Sequence, residues 1–209
     1  MKIALCFSGQ PRSFKRGYDY YYQNLLSKFE VDVFIHTWNG DYVEEIKKLY
    51  KPISIVTTDT LSNDIDKKYT RTHNAEKWPS RFTVSAYYSI FRSCLLKIDH
   101  EIKTNQYDWV IKTRFDFALP VVIPFEKLQK NKLYMPPCRT KAWGDWLGND
   151  QFAIGDSNVM NAYMSTYINL DRYYTNGVIM NGEEMLRANL IENNLIKDNL
   201  IYIDMPPPF

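Results

Sequence analysis

Residues 3–14, IALCFSGQPRSF, decide the reading of the fold. The apolar run from Ile3 to Phe7 has no polar interruption, which is the pattern of a strand buried on both faces. Ser8, Gly9, Gln10 and Pro11 break it, and residues 14–29 then read as a helix. The same alternation continues downstream. Residues 31–36 form a second apolar strand, 41–49 a short amphipathic helix, and 53–57 a strand of β-branched residues. Val84, Tyr87, Tyr88, Phe91, Leu95, Ile98 and Ile102 recur at three- and four-residue steps and mark one long helix. Residues 108–113 carry a fourth apolar strand.

Repeated strand–helix–strand units predict an α/β domain with a mostly parallel central sheet and helices on both faces. Past Pro120 the pattern is less regular. Residues 133–135 and 151–154 read as short strands on either side of a Trp- and Gly-containing loop. Residues 157–174 and 183–193 read as helices, with Ser157 as an N-cap, and 199–204 as a last strand. The domain is expected to span residues 1–204. The closing Met-Pro-Pro-Pro-Phe cannot continue a helix or a central strand, and reads as a linker to further domains C-terminal in the same chain.

Composition narrows the function classes. The 209 residues suit one domain, and 45% hydrophobic with 24% charged residues is ordinary for a soluble globular protein. A net charge of +2 gives no strong field for a nucleic-acid partner. Cys6, Cys94 and Cys138 are scattered and odd in number, which disfavours a disulfide framework or a zinc site and favours a reducing, cytoplasmic compartment. The apolar run after Lys2 is shorter than the roughly 7–15 residues of a signal peptide and the roughly 18 of a membrane span. The 16 tyrosines suit a cleft for a polar, ring-shaped ligand, though an A/T-rich coding sequence would enrich tyrosine equally.

In an open α/β sheet, ligands gather beyond the carboxyl ends of the strands, and four polar clusters fall there. Ser8, Gly9, Gln10 and Arg12 follow the first strand. Gly9 lets a ligand approach the backbone and Arg12 can pair with a phosphate, while an ordinary strand-to-helix turn is the plain alternative. Neither GxGxxG nor GxxxxGK[ST] is present. Thr37 and Trp38 follow the second strand, where the indole can stack on a base or cover the sheet, and His36 reads as a buried, hydrogen-bonded residue.

Arg114 and Asp116 leave the fourth strand two residues apart, so on extended backbone they face the same way. Asp116 is a candidate ligand for Mn²⁺ or Mg²⁺ bridging a diphosphate, with Arg114 on phosphate or ribose. A structural ion pair between the two competes with that reading. Asp150, in Gly148-Asn149-Asp150-Gln151 before the next strand, can orient an acceptor hydroxyl, act as a base or hold the donor sugar, and ordinary Asn-Asp turn chemistry is an equal alternative. Glu183 and Glu184 open a helix, where the dipole alone would explain them. Asp64-Ile65-Asp66 spells DxD but has no strand before it, and is discounted.

With these clusters in this order, the sequence resembles the small GT-A-like glycosyltransferases found in large DNA viruses of algae and in bacterial surface-polysaccharide clusters. IALCFSGQPRSF, DVFIHTW, YDWVIKTRFDFAL and NDQFAIGDSNVMNAY carry the resemblance. It implies a GT-A-like single domain that moves a sugar from a nucleotide-diphosphate donor, with uridine as the default base, to a glycan acceptor hydroxyl. In a viral setting it would act in the host cytoplasm. Ser8, Gly9, Gln10, Arg12, Thr37, Trp38 and Arg114 would bind the nucleotide sugar, Asp116 the metal, and Asp150 and Glu183 would serve catalysis. Arg114 stands where such enzymes carry the first acid of DxD, so the ribose contact of that acid is not carried over, and whether metal dependence is weaker is left open. Residues 58–81, or the loop at 143–148 with Trp143 and Trp146, would close over the donor. A sugar-phosphate nucleotidyltransferase of similar fold and a non-catalytic nucleotide- or carbohydrate-binding domain are the alternatives.

Overall fold

The computed structural model describes residues 1–137 and 148–203. The strands are β1 (Ile3–Ser8), β2 (Val31–Trp38), β3 (Ser54–Thr58), β4 (Trp109–Arg114), β5 (Leu133–Met135), β6 (Ala153–Gly155) and β7 (Leu200–Tyr202). They form one seven-stranded sheet in the order β3-β2-β1-β4-β6-β5-β7. β1 pairs in parallel with β2 and β4, and β2 with β3. β6 runs against both its neighbours, β4 and β5, and β7 lies parallel to β5. The sheet is therefore mixed, with a single reversed strand among the described residues.

Helices cover both faces. They are α1 (Phe14–Tyr21), α2 (Val43–Tyr50), α3 (Ile65–Lys68), α4 (Ser80–Lys103), α5 (Ser157–Met164), α6 (Leu170–Thr175) and α7 (Gly182–Glu192). Every residue of β1 is buried, and alternate side chains serve opposite cores because strand side chains alternate in direction. Ala4 and Cys6 pack with Phe34, Tyr87, Ile90, Met160 and Leu186 on the face covered by α4, α5 and α7. Ile3, Leu5 and Phe7 pack with Tyr21, Ile46, Tyr50 and Phe115 on the face covered by α1 and α2. Phe7 is the centre of the second core, with ring centroids 5.0, 4.8 and 4.9 Å from Tyr21, Tyr50 and Phe115.

Three expectations are corrected. The helix expected over residues 14–29 continues past α1 as a π-helical turn, Tyr22–Leu26. The helix expected over 157–174 is broken between α5 and α6 by a 3₁₀ turn, Ser165–Asn169. Its N-cap is Asp156, whose carboxylate accepts from the Val159 N–H, and not Ser157. The Ser157 hydroxyl is used instead by Lys97, a fully buried α4 residue whose Nζ also reaches Glu101 (2.6 Å) and Asn161 (2.7 Å). Apolar periodicity hid that contact, because Lys97 lies on the buried side of α4 while Ile102 is exposed.

Gly17 sets the approach of α1 to the sheet. A Cβ there would lie 2.1 Å from the Phe115 carbonyl oxygen, so any side chain forces α1 away from the turn that follows β4. Gly17→Ala is expected to cost about 1–3 kcal/mol through overpacking, although alanine is the better helix former. Urea denaturation of the two proteins measures this. Equal midpoints would mean that α1 shifts freely and does not brace the turn.

Candidate functional site

β1 sits where the order of the sheet reverses, with β2 and β3 following on one side and β4 on the other. Outside the carboxyl ends of such a switch point an α/β sheet has its natural ligand crevice. A cavity of about 480 Å³ lies there. Ser8, Gly9, Gln10 and Arg12 after β1, Trp38 of β2, Lys112 and Arg114 of β4, and Asp150 all line it. Ser85, Ala86 and Ile90 of α4 form its wall, and Thr60, Leu61, Asn63, Trp78, Arg81 and Phe82 close it from the segment before and at the start of α4. The polar stretch at residues 58–81 thus borders the cavity, as a lid would. The expected closing residues Trp143 and Trp146 lie outside the described residues.

The loop after β1 is held at one residue. Gly9 has φ +91°, a left-handed conformation that glycine adopts without a Cβ penalty. Its N–H donates to the Ser89 hydroxyl at 2.6 Å, and its carbonyl accepts from the Thr37 hydroxyl at 2.9 Å. Thr37 is fully buried and does not line the cavity. The base contact expected of it is replaced by a positioning role, because its side chain points across to β1. Ser89 was not legible as a site residue in sequence, since it lies mid-helix with no motif around it.

His36 completes this layer. Its Nδ1 is 2.8 Å from the Ser89 hydroxyl and its Nε2 is 3.1 Å from the Thr58 hydroxyl. Burial, with the Arg92 charge second, pulls its pKa down to about 4, so the ring is neutral at pH 7. That agrees with the reading of His36 as a buried, hydrogen-bonded residue. Trp38 stacks on Tyr88 with ring planes 15° apart and centroids separated by 6.2 Å.

Arg114 and Asp116 are brought together as a bidentate pair. The guanidinium donates through Nε to one carboxylate oxygen at 2.9 Å and through Nη2 to the other at 2.6 Å. Asp116 is not among the cavity-lining residues. Both its oxygens face a cation, so this donor set does not fit the divalent ion expected there. The discounted acids are also occupied. Asp66 holds Arg81 and accepts from its backbone N–H, and Asp64 pairs with Lys67.

Asp150 reaches the cavity beside two residues of contrasting kind. Lys112 is 1% exposed and donates to the Asp150 carbonyl, and burial pulls its pKa down to about 8. It is a cavity residue whose role the sequence does not announce, because a lysine inside an apolar strand looks like an interruption. On the other side lies the start of α7, where Asn181 caps the helix by accepting from the Glu183 and Glu184 N–H groups. A Cβ at Gly182 would be 3.0 Å from an Asp150 carboxylate oxygen, so that carboxylate rests on the first turn of α7. Glu183 does not line the cavity but feels the charge of Asp150, which does. Burial first, and the Asp150 charge second, push its pKa up to about 7.

These features define an α/β protein with a cation-rich, part-aromatic ligand crevice at the switch point of its sheet. The chain belongs to the family described as Domain of unknown function (DUF7796), whose profile matches residues 1–202. No curated protein matches it. Among the described residues no helix is long and apolar enough to cross a membrane.

Glu183 makes stability depend on pH. Its carboxyl titrates near 7 when folded against an ordinary value of 4.5. Below 4.5 it is protonated in both states. Between 4.5 and 7 the unfolded chain releases the proton first, so stability falls as pH rises and stays lower above 7. Glu183→Gln is expected to remove that slope and to gain about 1–3 kcal/mol at pH 8. Urea midpoints at pH 5 and pH 8 measure it, and parallel shifts of wild type and variant would show that Glu183 is not perturbed.

Proposed function

We propose that the protein is a glycosyltransferase of GT-A-like architecture, moving a sugar from a nucleotide-diphosphate donor to the hydroxyl of a glycan acceptor. One observation carries the reading. Three of the four segments on which the family resemblance rests meet at a single cavity at the sheet's switch point, through Ser8 to Arg12, Arg114 and Asp150. The fourth contributes Trp38 to the same wall. A mixed, mostly parallel sheet with helices on both faces is compatible with that architecture.

The chemistry follows from the residues that line the cavity. The Trp38 indole and the loop after β1 take the base and ribose, with uridine as the default. Cationic side chains on β4 take the diphosphate, and stabilise it as charge builds on the leaving group. The acceptor hydroxyl attacks the anomeric carbon, the bond from that carbon to the diphosphate oxygen breaks, and the hydroxyl proton passes to the Asp150 carboxylate. Glu183, whose pKa is pushed up to about 7 by burial and by the Asp150 charge, shares that proton with Asp150 in this reading. Residues 58–81 exclude water from the bound donor.

The test is turnover of UDP-, GDP- and dTDP-linked sugars, read as nucleoside diphosphate release over a panel of glycan acceptors. One donor class should turn over. Asp150→Asn should lower the rate by about 10²–10⁴-fold while nucleotide affinity stays close to that of wild type. Binding of a nucleotide without any turnover would favour a non-catalytic binding domain. Activity only with a sugar 1-phosphate and a nucleoside triphosphate would favour a nucleotidyltransferase.

A further inference from the structure

The cavity holds four cations, Arg12, Arg81, Lys112 and Arg114, against a single lining acid, Asp150. Two of the four are already matched, Arg81 by Asp66 and Arg114 by Asp116. Among the described residues, Lys112 and Arg12 have no carboxylate salt-bridge partner. Arg12 is an exposed residue whose Nε donates to the Gln10 side-chain oxygen at 2.9 Å. Lys112 is buried at the floor, and its ammonium has three donors, of which the Asp150 carbonyl takes one.

The same fold shows how a buried lysine is satisfied when its role is structural. Lys97, equally buried, has Glu101, Ser157 and Asn161 all within hydrogen-bond reach of its Nζ. A buried charge with donors left over is costly, and an anion in the cavity removes that cost. Lys112 and Arg114 are two residues apart on β4, and so project on one face of the strand toward the same space. In register beside Lys112 stand Cys6 on β1 and Ala153 on β6, neither of which can neutralise it. The Cys6 thiol is held protonated by burial.

We propose that Lys112, with Arg114 and Arg12, forms a cationic diphosphate site that works without a divalent ion. The proposal deepens the nucleotide-sugar reading and rests on it for the identity of the natural ligand, although the anion site itself can be probed separately. Asp116 has no place in metal binding here. Its part is to hold the Arg114 guanidinium in orientation at the cavity edge, which makes it a positioning residue.

Calorimetric titration of UDP and of inorganic pyrophosphate into the full chain, in EDTA and again with Mn²⁺, tests this. Both probes are expected to bind in EDTA, with affinities changed less than about threefold by Mn²⁺. Lys112→Met, which keeps the length of the buried stem, should weaken both by about tenfold or more, the effect of losing one charge-assisted hydrogen bond. Arg12→Gln lies at an exposed position that leaves the core untouched, so a weakening of both probes there supports the site even if Lys112→Met does not fold. UDP binding that needs Mn²⁺ and is lost in Asp116→Asn overturns the proposal and leaves the nucleotide reading intact. Pyrophosphate binding that depends on Lys112 or Arg12, with no nucleotide bound, keeps the anion site and removes the nucleotide reading. Failure of both probes under both conditions overturns the proposal.

Discussion

Gly9 is tied on both sides by side chains from different elements, Ser89 of α4 to its N–H and Thr37 of β2 to its carbonyl. The cavity depends on this constraint. A backbone at φ +91° turns the chain out of β1 before Pro11 and leaves Ser8, Gln10 and Arg12 along one wall. Because Ser89 also contacts the buried His36, the loop, the second strand and the long helix are locked into one unit. Hydrogen bonds of this kind contribute modestly when made, but leaving such buried groups unsatisfied costs about 1–3 kcal/mol each. The geometry of the loop is therefore held by the penalty for breaking it.

Division of labour within the sheet follows from alternation along β1 and β4. One face carries Phe7, Ile111 and Phe115 into a largely apolar core under α1 and α2. The other face begins apolar with Ala4, Cys6 and Val110, and turns polar toward the carboxyl ends at Lys112 and Arg114. The cavity lies between the carboxyl end of that second face and the first turns of α4, whose Ser85, Ala86 and Ile90 form its wall. Polar residues that would be unfavourable in the middle of a sheet are accommodated at its end, because the cavity gives their charged heads somewhere to point.

Charge is what distinguishes this crevice. Acids near it are mostly committed, Asp116 to Arg114 and Asp66 to Arg81, whereas the lysine at its floor is not. Asp150 remains as the acid facing the cavity, with Glu183 close enough behind it to be pushed toward neutrality. Asp150 lies beside Lys112, which donates to its carbonyl, so the acid and the cations face one space, and the transfer reaction proposed above draws on both.

Much of this was legible in the residues alone. The unbroken apolar run of β1 and the largely apolar runs of β2 and β4 announce buried strands, since apolar sequence of this density has no stable place beside water. The strand-end clusters Ser8 to Arg12, Trp38, Arg114 and Asp150 could be located because α/β sheets present their carboxyl ends to ligands. What the tertiary structure alone decided is which side chains meet across the chain. Ser89 and Lys112 are separated from their partners by many residues, and their environment is set by the packing of α4 and β6, to which local spelling is blind. The same holds for the fate of Asp116. Sequence spacing put it beside Arg114, but only the folded turn after β4 committed both its oxygens to that guanidinium, because an ion pair is settled by three-dimensional distance and the competing partners within reach.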